Sequence, residues 1–309
     1  MRAFTSGLLS LAALLALASA PARAGEPRTL RVDGVERGYW LHAPASAKPG
    51  APLVIVLHGA GGGGEQAARA YRWDRKAEAE GFVVAAPDAS PSFAGRPASF
   101  ATNPRVWNDG SGRGSPNIRA SDDVGLVAAL IESLARSHRI DPARVYVTGF
   151  SSGAGMAQRV GQELAPRVAA IAPVAGIMVA APRAPARAMP VFYLSGDRDP
   201  LNPVEGGVIS LPWGGRYPKE PLAVVVGRWR ALNGCPDAAA RDDSGGVDTL
   251  VWRGCRDGVE VRYSLVRGLG HEWPGGARSG LPESMVGPHS AALDATAEIW
   301  RFFTRWRLP

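Results

Sequence analysis

The chain has 309 residues, 46% of them hydrophobic, and a formal net charge of +7. That length and apolar content can fill a sizeable core and exclude a disordered chain. The positive charge is scattered arginine, with Lys48, Lys76 and Lys219 the only lysines, so the basic tail or arginine-rich helix that nucleic-acid binding needs is absent.

The first 24 residues read as a signal peptide. Arg2 gives a positive start, Gly7 to Ala20 is a short apolar run, and Ala22-Arg23-Ala24 offers a small-residue cleavage site. No other run approaches the ~20 apolar residues of a membrane helix. The expectation is therefore an exported protein, periplasmic or secreted. It should have no membrane anchor after processing, and residues 25–309 should form one catalytic domain. Two cysteines, Cys235 and Cys255, in an exported chain favour a single disulfide. They are too few for a zinc site.

Along the mature chain, Asp33-Gly34 separates two strand-like runs, 29–32 and 36–42, as in a hairpin. Short apolar runs follow at 53–57, 82–86, 145–148, 168–174, 191–194 and 259–266. Runs without alternation suit strands buried on both faces of a parallel sheet. Helical patterns lie between them, notably 122–135, with Ser121 as the expected cap, and 294–306 at the end. This alternation predicts an α/β fold, a mostly parallel sheet with helices on both faces. The Gly- and Pro-rich stretches 91–120 and 200–220 read as loops over a site, and 236–258 gives no clear pattern.

Gly149-Phe150-Ser151-Ser152-Gly153 matches G-x-S-x-G. Its placement matters more than the match, because it follows a strand and opens a helical segment. A sharp strand-to-helix turn there lifts a serine Oγ clear of the sheet, and small neighbours relieve the crowding. Ser151 is the candidate nucleophile. The N–H of Ser152, at the start of the helix, is a candidate oxyanion donor. The glycine-rich loop after the first buried strand, His58-Gly59-Ala60-Gly61, supplies a second in the N–H of Ala60. His58 reads as a structural residue holding that loop.

Only His271 and His289 follow Ser151. His271 sits in a glycine-rich loop directly after the last strand, where an imidazole can reach over the nucleophile; it is the candidate base. The acid should follow the strand 191–194, where Asp197 and Asp199 both stand. Asp199 lies further into the loop and is preferred, with Asp197 left to bond the loop backbone. Trp107 and Trp273 fall in loops expected beside these residues and are candidate substrate-binding walls, with ring N–H groups for an ester oxygen. No metal or organic cofactor is needed for such chemistry.

These pieces carry a family resemblance. His58-Gly59, Trp107, Asp122-Asp123, residues 140–151 (IDPARVYVTGFS), 196–207 (GDRDPLNPVEGG), Asn233-Gly234-Cys235 and 270–275 (GHEWPG) resemble the exported esterases grouped as polyhydroxybutyrate depolymerase and feruloyl or acetylxylan esterase. The resemblance implies the α/β-hydrolase fold and ester hydrolysis by Ser151, Asp199 and His271. It also implies a Cys235–Cys255 bridge near the histidine loop. It covers nearly the whole mature chain without an appended polymer-binding domain. The expected partner is therefore a short hydroxyalkanoate ester or oligomer; the alternative is a feruloyl or acetyl ester on plant polysaccharide. Oligomeric state is not fixed by the sequence.

Overall fold

The computed structural model describes residues 25–210 and 215–309. The expected signal peptide, 1–24, lies outside them. Twelve strands are found among the described residues: β1 (Glu26–Val32), β2 (Val35–His42), β3 (Leu53–Leu57), β4 (Val83–Pro87), β5 (Val145–Phe150), β6 (Ala170–Val174), β7 (Val191–Gly196), β8 (Gly207–Ser210), β9 (Arg216–Lys219), β10 (Ala240–Ser244), β11 (Val247–Trp252) and β12 (Val261–Val266). Ten form one sheet in the order β1-β2-β4-β3-β5-β6-β7-β12-β11-β10. The middle of it, from β4 to β12, is parallel. An antiparallel hairpin closes each edge.

Both hairpins turn through two residues in the left-handed region, Asp33-Gly34 (φ 47° and 80°) and Gly245-Gly246 (φ 59° and 79°). That geometry matches the twist of the flanking strands. The second hairpin gives form to the stretch that had no clear sequence pattern. Its outer strand, Ala-Arg-Asp-Asp-Ser, is exposed throughout and so carries no apolar signature.

The eight α-helices of the described residues are α1 (Gly64–Ala70), α2 (Trp73–Glu80), α3 (Pro116–Arg119), α4 (Asp123–Ser137), α5 (Ser152–Glu163), α6 (Leu222–Leu232), α7 (Glu283–Val286) and α8 (Ala295–Phe303). They cover the sheet on both sides. Leu53, Ile55 and Leu57 of β3 pack in one core with Leu130 and Leu134 of α4, Val160 of α5 and Trp229 of α6. Val54 and Val56, the alternate residues, pack in the other with Trp73 of α2 and Ile299 and Phe303 of α8. A strand projects successive side chains to opposite faces, which is why β3 has no polar residue. The fold is the expected α/β arrangement.

Two details differ from expectation. The cap of α4 is Asp122, which accepts from the N–H of Gly125 at 2.8 Å. Ser121 instead donates to the buried Asp123, which also holds Arg37 at 2.7 Å. The stretches read as loops also carry structure: α3 stands in the first, and β8 and β9 form a small antiparallel hairpin in the second.

Candidate active site

β5 and α5 meet at Ser151, whose backbone is held at φ 54° and ψ −116°. A non-glycine residue there costs on the order of 1–3 kcal/mol, which the surroundings must offset. They leave the chain little choice. A Cβ at Gly149 would stand 2.3 Å from the Gly153 carbonyl oxygen, and one at Gly153 would stand 2.4 Å from that of Leu57. The Ser151 N–H donates to the Val174 carbonyl at 2.9 Å, which ties the turn to β6. Small residues at these positions are thus a steric condition of the turn.

The turn aims the Ser151 hydroxyl at His271, whose Nε2 lies 2.9 Å from Oγ. On the other side of the ring, Nδ1 lies 2.8 Å from Asp199 Oδ2. A carboxylate only accepts, so Nδ1 carries the proton and Nε2 is left to accept from the serine. The second Asp199 oxygen accepts from the N–H groups of Leu201 and Asn202, each at 2.8 Å. Asp199 and His271 are both buried. The ring of Phe150 packs 4.7 Å from the imidazole.

The loops bearing acid and base lie against each other. A Cβ at Gly196 would meet the Leu269 carbonyl at 2.1 Å. Asp197 accepts from the Gly268 N–H at 2.7 Å and so bonds the loop backbone, as expected for the carboxylate not facing the ring. His289 is partly exposed and stands apart from this chain of hydrogen bonds.

Ala60 and Ser152 both border the cavity beside Ser151. Among the described residues neither N–H is taken by a protein acceptor. His58 fixes the loop that carries Ala60. Its Nδ1–H donates to the Gly59 carbonyl at 2.7 Å and its Nε2 accepts from Ala89 at 3.0 Å. Burial holds its pKa below the ordinary histidine value, so the ring is neutral.

Over Ser151 lies a cavity of about 350 Å³. Trp107 borders it, but its ring N–H is spent on the His58 carbonyl at 2.8 Å, so only its apolar surface can face a substrate. Trp273 does not border it. This tryptophan is buried, stacks on Tyr71 at 4.4 Å, and gives its N–H to Thr296 at 3.0 Å. Its expected contact with substrate is thereby corrected: the loop lies beside the site, but the side chain points into the core.

Several wall residues were not foreseen from the sequence: Phe100, Asp109 and Arg113 from the loop before α3, and Ile209, Tyr217 and Lys219 from the β8–β9 hairpin. The only signal was a pair of Gly- and Pro-rich stretches. Cys235 and Cys255 are joined in a disulfide.

The sheet, the strained turn and the Ser-His-Asp alignment define an α/β-hydrolase. Residues 38–244 match the family described as Esterase PHB depolymerase, and the chain belongs to that family of carboxylic ester hydrolases. NocK of Nocardia uniformis subsp. tsuyamanensis, named as an esterase, is 32% identical over 267 residues, 81% of this chain and 74% of that protein. Feruloyl esterase B of Piromyces equi is 27% identical over 72% of this chain. The bifunctional acetylxylan esterase/xylanase XynS20E of Neocallimastix patriciarum is 24% identical over 89% of this chain. The matches span 39% and 34%, respectively, of those two longer proteins. Among solved structures, an acetyl xylan esterase from Aspergillus awamori superposes with a TM-score of 0.60 at 13% identity, over 91% of this chain and 99% of that one, a likeness of fold.

Proposed function

We propose that this chain is an exported serine esterase that cleaves short hydroxyalkanoate esters or oligomers through an acyl-enzyme. The observation that carries the reading is the unbroken hydrogen-bonded line from Ser151 Oγ through His271 to Asp199 at the edge of the cavity. Ser151 attacks the ester carbonyl while His271 Nε2 takes its proton. Asp199 fixes the tautomer and stabilises the imidazolium that forms. The N–H groups of Ala60 and Ser152 hold the developing oxyanion. Removing one such donor elsewhere costs about 2.7–4 kcal/mol. His271 then returns the proton to the departing alcohol, and water releases the acid by the same route.

A cavity of about 350 Å³ is at the small end of ligand sites, which favours a short acyl chain. Residues 25–309 act as one catalytic domain in this reading, and the leader-like 1–24 together with the disulfide supports export to the periplasm or the medium. The flat apolar surfaces of Phe100, Trp107 and Tyr217 also suit an aromatic acyl group, so feruloyl ester cleavage is the second reading. Trp107 serves either as an apolar wall.

The test is a side-by-side panel of p-nitrophenyl butyrate, soluble hydroxybutyrate oligomers and methyl ferulate. The expected order places hydroxybutyrate oligomers above methyl ferulate in kcat/KM. The reverse order moves the assignment to the feruloyl class, and no Ser151-dependent turnover of any ester rejects it.

A further inference from the structure

The cavity lining is mostly apolar, but besides the Ser151 and His271 groups and several hydroxyls it carries three charged side chains: Asp109 and Arg113 from the loop before α3, and Lys219 at the end of β9. Arg113 has partners within the protein. It lies 3.7 Å from Asp109 and over the ring of Tyr217 at 5.6 Å. Lys219 is different. It is half-buried, and among the described residues no carboxylate lies within ion-pair distance of its ammonium. Burial pushes its pKa down to about 8, the nearby Arg113 charge adds to this, and the carboxylates of Asp199 and Asp109 oppose it.

A lysine on a short edge hairpin usually serves to keep other strands away, and such a lysine projects into water. This one lines the cavity that Ser151 and His271 also line. It is one of only three lysines in the chain, whose other Lys/Arg positions are all arginine. An ammonium withdrawn from water without a counter-ion is costly, and an anionic ligand group removes that cost.

We propose that Lys219 determines specificity by binding the free carboxylate of the substrate, the acid end of a short hydroxyalkanoate oligomer. This rests on the esterase reading above. In such an oligomer the terminal carboxylate stands two carbons from the scissile ester oxygen, on the alcohol side. Cleavage at the last ester bond therefore brings a carboxylate and the reacting carbonyl into one small cavity, with Ser151 at the carbonyl and Lys219 at the carboxylate. The carboxylate is held and not transformed. A neutral ester such as methyl ferulate has no group to place there. Charge-assisted hydrogen bonds of this kind account for roughly ten- to a hundredfold in affinity.

The experiment compares kcat/KM for the 3-hydroxybutyrate dimer as its free acid and as its methyl ester. The enzymes are wild type, Lys219→Gln and Lys219→Arg, each checked by thermal melting; Lys219→Met replaces the Gln variant if that one melts early. Wild type should prefer the acid. Lys219→Gln should lower the acid-to-methyl-ester ratio at least tenfold, through KM, and Lys219→Arg should keep most of it. A wild-type ratio near one, or an equal loss on both substrates in Lys219→Gln, overturns the proposal. Monoethyl succinate, which carries its carboxylate on the acyl side, is a third substrate. If it alone responds to Lys219→Gln, the oligomer end is the wrong ligand. p-Nitrophenyl butyrate separates the two failures: if its turnover depends on Ser151 while the ratio stays flat, the esterase reading stands and the Lys219 assignment falls.

Discussion

Replacing Asp199 by Asn should reduce kcat about 10⁴-fold with the fold intact. The two oxygens of Asp199 face different donors, Oδ2 the His271 Nδ1 and Oδ1 the N–H groups of Leu201 and Asn202. An amide has one oxygen to offer. If it stays with the two backbone donors, its NH₂ faces Nδ1, which must then become an acceptor. Nε2 then carries the proton and cannot take one from Ser151. If the amide flips, its NH₂ meets two buried N–H groups, each left unpaired at a cost of roughly 1–3 kcal/mol. Two backbone donors thus outvote the imidazole, and the wrong tautomer is held in place. The corresponding change in another triad enzyme costs about 10⁴ in kcat, or roughly 5.4 kcal/mol of barrier. Asp197→Asn should cost far less, since an amide oxygen still accepts from Gly268. The assay is kcat on p-nitrophenyl butyrate for both variants, with melting curves as the control for folding. An Asp199→Asn enzyme above a tenth of wild type, or a larger loss in Asp197→Asn, would refute the reasoning.

Three further expectations follow from other parts of the molecule. Gly153→Ala should lower kcat at least tenfold and reduce stability, since its methyl would meet the carbonyls of Leu57 and His58 at 2.4 and 2.6 Å. Gly227→Ala on α6 has open space and should instead stabilise by up to ~1 kcal/mol; equal effects in melting curves would discredit the elbow packing. Unfolded, unreduced protein should show no free thiol, and removing the Cys235–Cys255 bridge should cost ~3 kcal/mol, since it closes a 20-residue span. Two titratable thiols would contradict it. Burial pushes the pKa of Glu260 up, but hydrogen bonds from Arg305 and the charges of Arg262, Arg305 and Arg253 outweigh it, and the net value is lowered. Its stabilising effect is therefore full above the ordinary glutamate pKa and lost as pH falls through the lowered folded value. Glu260→Gln should destabilise by roughly 2–3 kcal/mol at pH 7, less than a fully buried pair because Arg253 and Arg305 are exposed and Arg262 is only half-buried. That gap should close in acid, and a gap independent of pH would exclude the ion cluster as its cause.

How far the sequence revealed this molecule depended on what each residue type encodes. The run Leu53 to Leu57 specified a strand buried on both faces because every position is apolar. Asp33-Gly34 specified a hairpin because few pairs adopt two left-handed conformations in succession. The Ser-His-Asp alignment was legible for a similar reason: a serine between glycines, after a strand and before a helix, has one steric solution, and its partners had to follow later strands. Trp273 was misread because position in a loop does not fix side-chain direction, and the core was available to its ring. The charged part of the wall was missed because Lys219 joins Asp109 and Arg113 only through the fold. Arg113 and Lys219 lie far apart in sequence and share no pattern. Ser121 was favoured as a cap by residue type, yet Asp122 stands one residue nearer the first free N–H groups and takes the role.

The proposed hydrolysis begins with Ser151 as the nucleophile. Treating the protein with a fluorophosphonate and mapping the adduct by peptide mass tests that directly. One phosphonyl group should appear on the peptide containing Ser151, and esterase activity should fall in proportion to its occupancy. Full activity after complete labelling, or an adduct on another residue with Ser151 unmodified, would contradict the account.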